Sequence, residues 1–316
     1  MRGGFVKQMT KKQQATIILG IGIAAVSTAA IFIRFAQNEA PSLVIAAGRL
    51  GLATLFLAPF SLKRSINEFQ GLSAVSRRGI FLAGFFLALH FAAWIKSLEL
   101  TSVASSVVLV TTTPLWVALL SPLVLGERLN RGVWAGLSLA MSGGVLVGLS
   151  QTCQFSQSGF SCAMIFDMGE GRALLGNFLA LMAAWASAAY MLAGRRVRPH
   201  LSLSAYIFMV YGIAAFLLFV FMALNGNSLL GFSLQTYGFI LLLALIPQLL
   251  GHTSFNWALR YVPATFVALA LLGEPIGTTI LAVIFLSESP GLGEVIGGVM
   301  ILGGIYLATK IGQTQA

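Results

Sequence analysis

Long apolar stretches alternate along the chain with short polar or charged turns. A helix needs about 20 mainly apolar residues to cross a hydrocarbon layer about 30 Å thick. Windows of that kind recur at 15–36, 41–61, 78–97, 102–124, 131–150, 173–194, 203–223, 235–257, 264–286 and 291–309. The pattern predicts an all-α integral membrane protein with ten transmembrane helices. The first window comes after Lys11 and Lys12 but lacks a clear small-residue cleavage site, and many more spans come after it, so it reads as a retained helix.

The order of residues adds a second layer. Residues 98–148 match 259–308: Leu98 with Leu259, Pro114 with Pro275, Glu127 with Glu288 and, after one residue is dropped, Gly143–Gly144 with Gly303–Gly304. With five helices per half, the second copy enters from the opposite face, so the expectation is two inverted five-helix repeats. They would span 15–150 and 173–309, with a cytosolic segment 1–14, an outer connection 151–172 and a cytosolic tail 310–316. Inverted repeats supply two half-structures able to exchange packing around a midplane site.

Composition narrows the class. The chain is 316 residues long, 58% hydrophobic and 9% charged, with mean hydropathy +0.91, which a soluble core does not need. The net charge of +10 is spread among connections, as orientation signals are, and not gathered with aromatics into a nucleic-acid stripe. With the N-terminus inside, Lys63, Arg64, Arg77, Arg78, Arg195, Arg196, Arg198 and Arg260 join the inner side, whereas only Arg34, Lys96 and Arg172 fall near the outer side. This predicts a bacterial inner-membrane protein with both termini cytosolic.

The segments Thr113-Pro114, Leu125-Gly126-Glu127-Arg128-Leu129, Leu259-Arg260-Tyr261, Glu274-Pro275 and Ser287-Glu288 recur in a fixed order. In that order the chain resembles the drug/metabolite transporter superfamily, specifically its bacterial ten-helix branch of two EamA-type repeats, over about 15–310. The resemblance implies a central cavity shared by the halves and transport of small organic solutes. The copies depart from the family pattern differently: Thr113 stands where many repeats carry Glu before the proline, and Ser287-Glu288-Ser289 replaces Gly-Glu-Arg. The two copies should therefore contribute unequally to the site.

Ionisable groups inside apolar windows are the candidate chemistry, because a charge there needs a partner, a proton or a water-filled path. Glu274 lies about 15 Å along its span at 1.5 Å per residue, near the midplane. It could stay neutral, bind an ammonium group or couple transport to protons. Arg49 is a structural ion-pair partner, a contact for a carboxylate-bearing substrate, or a side chain snorkelling toward the interface. His90, Trp94, His252, Asn256 and Tyr190 are further cavity candidates, combining hydrogen bonds with aromatic faces. Trp185, Trp116, Gln248 and Tyr211 are weaker ones, and each histidine is equally an interhelical hydrogen-bond partner. Pro114 and Pro275, each about twelve residues into its span, mark either static kinks or hinges.

Cys153 and Cys162 fall in the outer connection, where eight intervening residues could close a disulfide loop; two free thiols are the alternative. No metal-ligand spacing and no phosphate-cradling glycine loop is present, so metal, cofactor and ATP hydrolysis are not expected. The functional expectation is a non-enzymatic secondary transporter working by alternating access, exporting amino acids or related metabolites. A proton-coupled drug or organic-cation exporter, a metabolite importer, a channel and an integral-membrane enzyme are the alternatives. Its partners would be a small organic solute and the lipid bilayer; oligomeric state is not encoded legibly.

Overall fold

The computed structural model describes residues 11–125, 131–150, 153–156, 159–162 and 171–313. The first expected span is filled by α1 (Lys11–Ser27) and α2 (Ala29–Ala36). At their junction Ser27 Oγ donates to the Ile23 carbonyl at 2.9 Å and Thr28 Oγ1 to that of Ala25 at 2.7 Å. Hydroxyls that bond back to a preceding turn bend helices.

Helix α3 (Ser42–Gln70) runs well past its expected end at 61. Its extension is held by an Arg64–Glu68 pair at 2.7 Å and by Glu68 accepting the Ser202 amide at 2.8 Å. The first half continues through α4 (Ala74–Leu100), α5 (Val103–Val110), α6 (Thr113–Leu125) and α7 (Arg131–Ser150). After α7 the connection contains a short antiparallel hairpin, β1 (Cys153–Ser156) and β2 (Gly159–Cys162), a small addition to an otherwise helical chain.

The second half comprises α8 (Gly171–Val197), α9 (Leu203–Leu224), α10 (Leu234–Leu243), a π-helical stretch (Ala244–His252) and α11 (Thr253–Ala258). It ends with α12 (Ala264–Ala270), α13 (Gly273–Leu286) and α14 (Leu292–Gln313). Serines set several of the starts: Ser73, Ser102, Ser202 and Ser233 each have extended backbone and accept an amide of the first turn of α4, α5, α9 and α10. A side-chain oxygen there satisfies a donor that the helix itself leaves free.

Among the described residues, eight segments are long and apolar enough to cross a membrane, with two shorter apolar stretches, 134–147 in α7 and 292–304 in α14. Polarity is arranged for lipid. Phe60, Leu123 and Leu234 are more than four-fifths exposed (85%, 82% and 88%), while Arg49, Gln248 and Asn256 are completely buried. Helix α4 packs against α8 and α9, α3 against α9, α1 against the π-helical stretch, and α7 against α14. Gly143 and Gly297 make the last contact close, since a Cβ on either would collide with the carbonyl oxygen of the other. Small residues of this kind let membrane helices approach where no hydrophobic force drives them together.

The fourth and ninth spans are not single helices. Both break, at Thr111–Thr112 and at Leu271–Leu272, and Pro114 and Pro275 sit in the first turns of α6 and α13, the helices beyond the breaks. A proline cannot bond the carbonyl four residues earlier, and each break supplies a substitute. Thr113 Oγ1 donates to the Val110 carbonyl at 2.9 Å, and the Glu274 amide donates to the Leu271 carbonyl at 3.0 Å. Glu274 is therefore not mid-helix, as a continuous span would have it, but at the positive end of α13.

Candidate functional site

A narrow cavity of about 40 Å³ lies where the two halves of the chain meet. Arg49 reaches it from α3, His90 and Trp94 from α4, Tyr190 from α8, His252 from the π-helical stretch, Asn256 from α11 and Glu274 from α13. These seven leading candidates line one space, whereas the weaker candidates Trp116, Trp185, Gln248 and Tyr211 are not among its lining residues. Thr113, from the turn that carries Pro114, joins the seven.

Arg49 is the most constrained of these groups. Its Nε donates to Gln248 Oε1 at 2.9 Å, and its guanidinium carbon sits 4.1 Å from the centre of the Phe91 ring. Nη1 and Nη2 are buried and have no protein partner. Among the described residues the ion pairs are Arg34–Glu288, Arg64–Glu68 and Lys96–Glu99. Arg49 and Glu274 thus share the cavity without a direct salt bridge, and the complete burial of Arg49 sets aside snorkelling.

Aromatic rings form one wall. His90 stacks on Trp94 at 5.9 Å and 18°, while Phe91 and Phe255 meet the edge of His252 at 5.2 and 6.1 Å. His90 Nδ1 lies 3.0 Å from the Ala183 carbonyl, an acceptor, so Nδ1 carries a proton and donates. A hydrogen-bond chain leads from the cavity residues Tyr190 and Asn256 to Tyr211 and Thr253 behind them. Tyr190 donates to Asn256 Oδ1 at 2.6 Å, Asn256 Nδ2 donates to the Tyr211 hydroxyl at 3.2 Å, and Tyr211 and Thr253 share a hydrogen bond at 3.3 Å.

Sequence reasoning undervalued two residues. Gln248 ranked as a weak candidate, yet it holds Arg49; the π-helical turns around Pro247 fix its direction, and residue spacing does not announce them. Arg198 read as an inner-side orientation charge, yet it is buried, donating from Nε to the Asn256 carbonyl at 2.9 Å and from Nη1 to the Leu201 carbonyl at 2.7 Å. Carbonyls left open at helix ends accept it.

Among the described residues, no three His, Cys, Asp or Glu side chains gather to hold a metal ion. In the hairpin, the register sets the Cα of Cys153 opposite that of Cys162. Their side chains, like residues 126–130 with Glu127, lie outside the described part.

The profile of the EamA-like transporter family matches residues 14–149 and again 174–310. The chain belongs to the EamA-like transporter family. A protein of Archaeoglobus fulgidus called an uncharacterized transporter is 28% identical over 283 residues, covering 88% of this chain and 91% of its own. The uncharacterized transporters YetK and YdfC of Bacillus subtilis are 26% and 24% identical, covering 66% and 72% of this chain and 60% and 69% of theirs. A crystal structure of another protein superposes with TM-score 0.64 at 20% identity, covering 95% of this chain and 98% of the other, which is a likeness of fold. This EamA-like protein is accordingly a multi-pass membrane transporter of small solutes, not an enzyme.

Proposed function

We propose that the protein is a secondary transporter that moves small organic solutes by alternating access, with export of amino acids or related metabolites as the leading assignment. One observation carries this reading: a cavity between the halves holds a buried cation, Arg49, and a carboxylate, Glu274, that do not neutralise each other by direct contact. A zwitterion offers a complement to both. Glu274 is also the group through which proton coupling would run.

Ten spanning helices in two inverted repeats, 15–150 and 173–309, are part of the proposal. Equivalent contacts within each half support the duplication. Arg34 Nη1 donates to the Leu98 carbonyl at 2.8 Å and Arg195 Nη1 donates to the Leu259 carbonyl at 2.7 Å, both across 64 residues. The matched breaks before Pro114 and Pro275 support hinges there. Charge asymmetry supports an inner-membrane location, cytosolic segments 1–14 and 310–316, and an outer 151–172 connection closed by a Cys153–Cys162 disulfide. The aromatic wall beside Glu274 favours a proton-coupled organic-cation exporter as the second reading.

Reconstitution in tight liposomes with a panel of amino acids, nucleobases, sugars and organic cations, with and without a pH gradient, tests this. Saturable counterflow of at least one class is expected. Conductance far above carrier turnover, or no flux of any solute, would overturn it.

A further inference from the structure

Three buried side-chain nitrogens on residues lining the cavity have no protein partner: Nη1 and Nη2 of Arg49 and Nε1 of Trp94. All are donors. Arginine and tryptophan have nothing else to offer, and because Arg49 can only donate, the Gln248 oxygen must face it and the amide nitrogen must point away. The Arg49 guanidinium is wholly buried and the Trp94 side chain is 3% exposed. Burying such groups without acceptors costs free energy that folding alone gives no reason to spend.

We infer that the cavity recognises its solute through a carboxylate, received on the outer fork of Arg49 and on Trp94 Nε1, with Gln248 as the positioning residue that holds the fork. The inference rests on the transporter reading above and names the group that the solute must carry.

Geometry favours a planar monoanion. The Nε edge of the guanidinium is occupied by Gln248 at 2.9 Å and one face is covered by Phe91 at 4.1 Å, so the Nη1/Nη2 edge is the one left without a protein partner. Two parallel N–H···O bonds from that edge match the oxygen spacing of a carboxylate. The indole N–H adds a donor for a third lone pair. A dianionic phosphate would face the Glu274 carboxylate in the same cavity with only one arginine to balance it. Gln248 acts through Arg49: two brackets on the guanidinium, the amide and the Phe91 face, fix its plane before the solute arrives.

The experiment uses the full-length protein in proteoliposomes. Each of the twenty standard amino acids is offered for counterflow as the free acid, the carboxamide and the phosphonate analogue. For the acids that move, the wild type should prefer the acid over its amide and phosphonate by about tenfold or more in half-saturation, since a site built for a hydrogen-bonding group rejects analogues lacking it. In Arg49→Gln and Arg49→Lys the acid-to-amide ratio should collapse to about one. Gln248→Leu should raise the half-saturation for acids while leaving maximal flux within about twofold, and Gln248→Asn should recover part of the ratio. A damaged fold lowers flux of acids and amides together and leaves the ratio where it was, so a retained preference in both Arg49 variants overturns the inference. Equal wild-type handling of acids and amides overturns it while sparing the transporter reading. Absence of any flux, for these or the wider panel, overturns both.

Discussion

Arg49 is bound to Gln248, not to Glu274: its Nε lies 2.9 Å from the glutamine oxygen, and its other two nitrogens have no protein partner. The two charges in the cavity are therefore separately available to a solute. That separation is expensive for the fold, and expense at a site is where stability and activity part company.

Arg49→Met tests this directly. The substitution removes the desolvation cost of a buried, incompletely satisfied charge, against which the loss of the donor to Gln248 Oε1 costs about 1–3 kcal/mol. The variant should keep or raise the thermal midpoint of the purified protein while its flux falls at least tenfold. Fluorescence-detected size exclusion after heating reads the first quantity, proteoliposome counterflow the second. A clear loss of stability would make Arg49 a structural residue.

For Glu274, the informative change is Glu274→Gln, which keeps size and polar contacts and removes ionisation. If the carboxylate couples protons, flux should lose its dependence on a pH gradient while exchange of solute for solute survives. If it holds an ammonium group, affinity should weaken chiefly for cationic and zwitterionic solutes. Unchanged affinity, exchange and pH-driven flux in matched vesicles would return Glu274 to a helix-terminus role at α13.

Outside the membrane, Glu39 lies between α2 and α3 and accepts from the Ser233 amide at 2.9 Å and from Thr236 Oγ1 at 2.8 Å. These bonds, the backbone one first, hold its carboxyl below the ordinary value of 4.5. A depressed carboxyl stabilises the folded state above the unfolded value and loses that contribution as pH falls through the folded one. Wild-type protection of the Ser233–Thr236 amides against hydrogen exchange should therefore persist at neutral pH and drop only on acidification below about 4.5. Glu39→Gln should lower that protection at neutral pH and flatten its acid dependence. Equal protection in both proteins across this range would show that Glu39 does not anchor the start of α10.

Much of this architecture was legible in the sequence. Window lengths place most helix ends within a few residues, α3 with its extension to Gln70 excepted, and ionisable groups such as Arg49 and Glu274 stand out in apolar runs. The register of Leu98 with Leu259 led to a real pair of contacts, those from Arg34 and Arg195. Other features depend on geometry that hydropathy does not carry. The breaks at 111–112 and 271–272 replace one backbone hydrogen bond by another at nearly unchanged composition, and the π-helical turns that aim Gln248 leave no mark in residue spacing. Arg198 misled because a basic residue near a helix end looks the same whether it faces lipid headgroups or carbonyls.

Arg34 and Glu288 tie the end of α2 to the segment between α13 and α14. Arg34 Nη2 meets Glu288 Oε1 at 2.8 Å, Glu288 Oε2 accepts the Val103 amide at 2.8 Å, and Glu294 accepts from the hydroxyls of Ser102 and Ser105 at 2.6 and 2.8 Å. Two carboxylates from around the start of α14 thus cap the start of α5, and Arg34, at the end of α2, locks one of them. The pair is about a third exposed on each side, 32% and 28%, so its contribution to overall stability is small, about 1 kcal/mol or less. The same small amount still shifts the balance between two packings of similar energy, by up to about fivefold, because a contact present in only one state acts on that equilibrium with its whole value. Arg34→Gln and Glu288→Gln should therefore leave the thermal midpoint nearly unchanged while speeding modification of a cysteine placed at Ser187, which lines the cavity, by a membrane-impermeant reagent applied from the side on which the pair lies. The experiment uses a background with Cys153 and Cys162 replaced by serine. The exchanged pair Arg34→Glu with Glu288→Arg should slow modification again relative to either single charge reversal. Identical modification rates in the background protein and both glutamine variants would show that this contact fastens helices without guarding the cavity.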